Sequence, residues 1–247
     1  MAIDLIRFDN VTAGYGSLMI LNALSFSANT SEITLLIGPN GAGKSTVLKT
    51  FFGLLTPKQG QILFKGESVG GQQPADLLRR GIAFVPQGRN LFPALTLWEN
   101  LELGAITLHR SERQARMREV LGRFPQLNAR LHSAASSLSG GEQKQLEIAR
   151  ALLLRPSVIL IDEPSIGLAP KINQTVFRLL RELADAGTSV LMVEQNVRSA
   201  LGVSDRVLLL EGGRLVMDGP AANFLNDPDL NRVFLGAAKQ SNKEPTP

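Results

Sequence analysis

The chain has 247 residues, 44% of them hydrophobic, a formal charge of +4 and no cysteine. That length fills one sizeable core, or one core with a smaller appended lobe, and the lack of cysteine excludes a disulfide framework and any thiolate metal site. The small basic excess reads as an ordinary solvated surface, because clustered charge of one sign is what marks a polyanion partner. The opening Met1-Ala2-Ile3-Asp4-Leu5 lacks the basic-then-apolar pattern of a secretory signal. No apolar run approaches the roughly 18 to 20 residues that span a bilayer. The expected home is the cytoplasm, beside a membrane if the chain serves one.

Apolar stretches at 5–8, 33–37, 62–64, 82–85, 158–161, 189–193 and 207–210 read as strands. Those at 33–37, 158–161 and 189–193 are near-continuously apolar, as strands buried on both faces of a sheet must be, so the fold class is α/β. Ahead of them, Tyr15 sits in a Gly14-Tyr15-Gly16 turn, where an exposed ring can stack on a base. An Asn-Lys-x-Asp guanine reader is missing from the chain, which favours adenine.

The strand at 33–37 runs into Gly38-Pro39-Asn40-Gly41-Ala42-Gly43-Lys44-Ser45-Thr46, which satisfies G-x-x-x-x-G-K-[ST] and is followed by a predicted helix over 46–52. The glycines let backbone N–H groups converge on phosphate oxygens without Cβ clashes, and the helix N-terminus adds partial positive charge. Lys44 is expected on the β and γ phosphates, Ser45 on Mg2+ and Thr46 on a further phosphate oxygen. Gln87, after the strand at 82–85, is placed to reach the metal or a water through its amide.

No strand is predicted between residue 88 and 158. Helical spacing at 97–105 and 111–124 instead implies a mostly helical lobe over about 88–152, inserted between strands of the core. Arg110, Arg113, Arg116, Arg118 and Arg123 form its polar face and read first as solvated. Leu138-Ser139-Gly140-Gly141-Glu142-Gln143 then precedes a helix expected over 143–154. Ser139 and Glu142 fit a capping box on their own. Gly140-Gly141 goes beyond the box by baring the helix N-terminus for close approach of a phosphate.

Residues 158–161 deliver Asp162 and Glu163 at the C-terminal end of a buried strand, the end where open parallel sheets place ligands. Adjacent residues on a pleated strand point to opposite sides, so the two acids are expected to divide the work. Asp162 would face the Mg2+ shell, and Glu163 would orient or deprotonate the attacking water. His109 and His132 lie far from every motif. The polar segment 239–247, with two prolines, reads as a disordered tail.

With these motifs in this order, the chain resembles an ABC ATPase over nearly its whole length, 1–238. The resemblance implies a P-loop core with an inserted helical subdomain and an N-terminal antiparallel β region, and ATP hydrolysis with Mg2+. It also implies a head-to-tail dimer in which Ser139, Gly140 and Gly141 meet the γ-phosphate bound by the partner, with Gln143 nearby. The helical lobe and the Gln87 loop are similar to the parts that grip two membrane permease subunits, which are served in turn by a solute-binding protein. The implied place is peripheral, on the cytoplasmic face of the inner membrane, with no nucleic-acid partner.

Val85-Pro86-Gln87-Gly88-Arg89 with Leu91-Phe92-Pro93, Glu163-Pro164-Ser165-Ile166-Gly167-Leu168-Ala169-Pro170, and Val193-Glu194-Gln195-Asn196 are similar to an ATPase of branched-chain amino-acid importers. Importers of urea and other amides share much of this wording. Most ABC ATPases carry a histidine where this chain has Gln195 and an aspartate where it has Ala169. Glutamine hydrogen-bonds near a γ-phosphate but does not titrate as imidazole does. The importer subfamily pairs such a chain with a second ATPase that keeps the histidine, so a heterodimer is expected, with a homodimer left open. A nucleotide-gated module with little hydrolysis of its own is the competing class. Soluble ABC proteins acting on ribosomes or DNA usually carry tandem units or a long coiled-coil insertion, and neither is present.

Overall fold

Residues 4–88 and 90–226 are described by a computed structural model. Arg89 and the expected tail at 239–247 lie outside the described residues. The chain opens with two long strands, β1 (Asp4–Tyr15) and β2 (Leu18–Asn29), paired antiparallel across a turn at Gly16. Next come β3 (Ile33–Ile37), α1 (Lys44–Phe51), β4 (Gln59–Phe64) and the short β5 (Glu67–Ser68). β4 pairs with the other edge of β1, giving a four-stranded antiparallel sheet in the order β2-β1-β4-β5. Phe8 stacks on Phe26 at 4.6 Å between ring centroids and meets Phe51 edge-on at 6.0 Å, and Phe51 meets Phe64 the same way. These contacts seat α1 against the antiparallel sheet, with the aromatic geometry adding to the burial itself.

α2 (Pro74–Arg79) leads into β6 (Ile82–Val85). The chain then turns helical through α3 (Leu97–Gly104), α4 (Arg110–Leu121), α5 (Pro125–Asn128) and α6 (Gly140–Leu152) before returning to the sheet. The remainder is β7 (Val158–Asp162), α7 (Pro170–Asp185), β8 (Ser189–Val193), α8 (Val197–Leu201), β9 (Arg206–Glu211), β10 (Arg214–Pro220) and α9 (Ala221–Asn226). The second sheet has the order β10-β9-β3-β8-β7-β6, parallel except for the antiparallel edge strand β10. Among the described residues no helix is long and apolar enough to cross a membrane.

Alternate residues of the parallel strands enter two separate cores. Leu36, Leu160, Leu191 and Leu208 pack with α1 and the antiparallel sheet, whereas Leu35, Ile159, Ile161, Val190 and Met192 pack with the helices of the other face. Helical residues such as Leu97, Leu101, Met117, Val120, Phe124 and Leu146 belong to that second core. Two capping boxes fix the starts of α3 and α6. Thr96 accepts from Glu99 N while Glu99 accepts from Thr96 N, and Ser139 and Glu142 repeat the exchange. α6 therefore begins at Gly140, three residues before the start expected from sequence. α4 stops at Leu121, before Gly122, and Phe124 caps the short α5. Of its arginines, Arg113 donates to the carbonyls of Ile106 and Leu108 and Arg116 to those of Leu152 and Leu153, so these two fasten the lobe.

The α6 start lies directly against α7. A Cβ at Gly141 would sit 2.3 Å from Ile172 Cγ2, closer than side chains tolerate. Gly141→Ala is therefore expected to destabilise the fold by about 1–3 kcal/mol through overpacking. Ile172→Ala removes the clashing methyl, so the double variant should recover most of that loss in a denaturant-unfolding cycle. Strictly additive losses would show that the close approach is not the cause.

Candidate functional site

The loop after β3 is shaped by glycine where glycine alone fits. Gly38 has φ 147, and a Cβ there would lie 2.1 Å from the Leu210 carbonyl oxygen. Gly43, at φ 100, caps α1, and a Cβ there would press on Leu21 and Ile20. The loop thus passes under β9 and opens its N–H groups at the start of a helix, an anion-binding arrangement. Lys44 is 7% exposed, and its ammonium donates to the carbonyls of Gly38 at 2.8 Å and Pro39 at 3.0 Å. Burial holds its pKa below the ordinary lysine value, while the charges of Glu163 and Asp162 act in the opposite direction.

Ser45 Oγ donates to Asp162 Oδ1 at 3.0 Å. Asp162 ends β7 at 2% exposure, and burial pushes its pKa up against the lowering effect of the Ser45 bond. Thr46 is buried one residue further into α1. Tyr15 is 46% exposed, with the Lys49 ammonium 5.9 Å from its ring centroid. Tyr15, Asn40, Gly41, Lys44, Ser45 and Glu163 share an open cleft of about 220 Å³. These residues come from three separate segments of the chain, and the fold brings them together.

Glu163 departs from expectation. It does not continue the pleat of β7 but turns off it with φ 47, in the left-handed region, and donates its backbone N–H to the Val193 carbonyl at 2.9 Å. Its division from Asp162 therefore comes from a backbone turn and not from strand alternation. The carboxylate receives two amides: Gln87 Nε2 reaches Oε2 and Gln195 Nε2 reaches Oε1, each at 2.6 Å. Gln87 thus spends its amide nitrogen on the acid, and its side-chain oxygen is the atom a cation would take. Gln195, from the end of β8, meets Gln87 on the same group.

Ser139, Gly140, Gly141 and Gln143 are not among the residues lining this cleft. Ser139 Oγ is engaged in its capping box, and Gln143 Nε2 donates to the Ala135 and Leu138 carbonyls of its own loop. Gly141 is buried beneath Ile172, whereas Gly140 is exposed at the helix N-terminus. The second glycine therefore has a packing reason that its sequence context did not reveal. His109 bonds Ser111 Oγ and His132 is exposed, both away from the cleft. Glu194, to which the Val193-Glu194-Gln195-Asn196 resemblance gave no role of its own, is 2% exposed and accepts from the backbone N–H groups of Ser165, Gln195 and Asn196 at 2.8 to 2.9 Å. Its sequence signals were its place at the end of an apolar strand and its membership, beside Gln195, of that resembling segment.

These residues fit a nucleoside triphosphate and a hard cation. The glycine loop and Lys44 match a phosphate chain, and the Ser45 hydroxyl with the Asp162 carboxylate supplies the oxygen donors that Mg2+ prefers, the remainder coming from phosphate and water. Among the described residues no group of three or more His, Cys, Asp or Glu could hold a metal alone.

A family model described as ABC transporter matches residues 21–166. The chain is 41% identical over 232 residues to the high-affinity branched-chain amino acid transport ATP-binding protein BraG of Pseudomonas aeruginosa, covering 94% of this chain and 100% of that protein. It is 32% identical to the lipopolysaccharide export system ATP-binding protein LptB of Haemophilus influenzae, covering 94% and 98%. Among solved structures, the ADP conformation of an ATP-binding cassette of an ABC transporter superposes with a TM-score of 0.85 at 28% identity, covering 94% and 99%.

A buried carboxylate with a raised pKa carries a cost once it ionises. That cost is absent below the ordinary carboxylate value of 3.8 and sets in as pH rises through the higher native value. At neutral pH Asp162→Asn should therefore raise the melting midpoint of the nucleotide-free protein, by about 2–4 °C for each kcal/mol relieved. The gain should vanish in scans at pH values below the unfolded carboxylate range, and an equal gain at every pH would refute the assignment.

Proposed function

We propose, from the premise that this chain belongs to the ABC transporter family of ATP-binding proteins, that it powers import of branched-chain or closely related amino acids through a membrane permease. The family hydrolyses ATP, and this chain is an ATPase of that kind. The observation that carries the finer reading is likeness along nearly the whole chain to BraG, joined to the Gln195 and Ala169 wording of the importer subfamily. An importer of urea or other amides is the neighbouring reading. The likeness to LptB, named for export, supports the motor itself, and the import direction rests on the resemblance to the importer subfamily.

In this reading the triphosphate lies along Gly38 to Thr46 with the adenine against Tyr15. Lys44 exchanges its two loop carbonyls for β and γ phosphate oxygens. Mg2+, held by Ser45 and Asp162 with Gln87 in reach, would neutralise charge on those phosphates. Glu163 orients a water and takes its proton as the γ-phosphorus is attacked, and Gln195 holds the carboxylate in place. A second ATPase supplies its own Ser139-equivalent helix N-terminus in trans, and this chain's Ser139, Gly140 and Gly141, with Gln143 bracing their loop, serve the partner's nucleotide. We place the complex at the cytoplasmic face of the membrane, with the helical lobe toward two permease subunits and a solute-binding protein beyond them.

Glu163→Gln should keep MgATP affinity while turnover falls by about 10² to 10⁴, and Lys44→Ala should lose the affinity itself. Both are read by nucleotide titration and phosphate release. Cargo is tested by isolating the complex from detergent-treated membranes and measuring ATP-driven uptake in liposomes. Stimulation by leucine, isoleucine or valine with their binding protein is the expected result. Stimulation by urea or amides alone would replace the cargo assignment and leave the motor intact.

A further inference from the structure

We propose that Glu194 is a positioning residue for hydrolysis: its buried carboxylate ties the loop that follows Glu163 to the loop that carries Gln195. This rests on the reading of Glu163 as the acid that readies water. Glu194 ends the line of β8 at 2% exposure, beside Asp162, whose strand partner is Val193. One of its oxygens accepts Ser165 N at 2.8 Å, and the other accepts Gln195 N and Asn196 N, each at 2.9 Å. Three donors on one carboxylate come from two separate chain segments, 163–166 and 194–196. Among the described residues its hydrogen bonds are all from backbone N–H groups, and it has no ion-pair partner within 4.0 Å.

The need for such a tie follows from Glu163. A bulky residue at φ 47, followed by Pro164, is held in a sparsely populated conformation that persists only where the surroundings over-determine it. The visible constraints are Glu163 N to the Val193 carbonyl, Ile166 N to the Glu163 carbonyl, and Ser165 N to Glu194. The third is a side chain, and the same side chain fixes the two backbone N–H groups that set Gln195, whose amide lies 2.6 Å from Glu163 Oε1. Glu194 therefore sets both the acid and its amide partner without touching either carboxylate oxygen. A glutamine here would offer one acceptor oxygen and turn an NH2 group toward donors, so one loop would lose its anchor.

The test uses the full chain, purified and supplied with MgATP. In Glu194→Gln, turnover is expected to fall about tenfold or more while the KM for ATP stays within about threefold. Hydrogen exchange at Ser165, Gln195 and Asn196 should accelerate while the amides of β3 keep their protection. In a Glu163→Gln background the same change should lower turnover no further, because residues acting as a unit do not add. Equal losses of turnover and ATP affinity, or an additive loss in that background, would overturn the proposal. Should Glu194→Gln fail to fold, Glu194→Asp is read in its place. Its shorter carboxylate is expected to give turnover between that of wild type and Glu163→Gln, and wild-type turnover would count against the tie. Failure of Glu163→Gln to slow turnover would instead sink the reading of Glu163, whatever Glu194 does.

Discussion

Asp162, Glu163 and Glu194 are each no more than 6% exposed and stand at the ends of two adjacent strands, so three carboxylates share one edge of the sheet. Burying ionised groups is expensive unless they are hydrogen-bonded. The surrounding structure answers with neutral donors: a serine hydroxyl for Asp162, two glutamine amides for Glu163, and three backbone N–H groups for Glu194. Lys49 and Lys44 lie near enough for their charges to act on Asp162, and Lys44 bonds carbonyls of its own loop. Neutral donors fix the acids geometrically without cancelling their charge. The edge therefore keeps a negative character that suits a cation and a proton acceptor, the two functions a phosphate-cleaving site needs.

The position of that edge follows from the sheet. Parallel strands β3, β7 and β8 all end on the same side, so the glycine loop, the acid pair and the Glu194-Gln195 pair converge although well over a hundred residues of sequence separate the first from the others. Gln87 joins them because β6 is the next strand along. The helical stretch between β6 and β7 shares the core of the sheet's other face, which gives the Gln87 loop a firm connection to helices remote from the cleft.

Much of this was legible in the sequence, for identifiable reasons. The strands at 33–37, 82–85 and 189–193 have the bounds that their apolar runs indicate, because burial on both faces leaves them almost wholly apolar, with Thr34 and Ser189 the polar positions. β2 and β10 went unread: β2 mixes exposed and buried positions irregularly, and most of β10 is exposed, so neither gives an apolar run. α7 was readable in principle from Pro170 at its start and Val176, Phe177, Leu180 and Leu183 along one face. The left-handed turn at Glu163 was not, since Pro164 disfavours it locally and only tertiary bonds hold it. Gln143 and Gly141 show the same limit. Their motif suggested a ligand, while the bonds to Ala135 and Leu138 and the packing on Ile172 are contacts between segments that spacing does not encode.

The position of β3 in the middle of its sheet also governs how the protein is made. Its neighbours β8 and β9 begin at Ser189 and Arg206, about 150 residues after the glycine loop leaves the ribosome. At roughly 5–20 residues per second, that segment waits about eight to thirty seconds for its partners. The strands β1, β2, β4 and β5 complete their own sheet by Ser68 and give α1 an early surface to rest on. The nascent chain can thus shelter one flank of its nucleotide loop during translation, while the apolar strand beneath it remains a target for chaperones until the last third of the chain emerges.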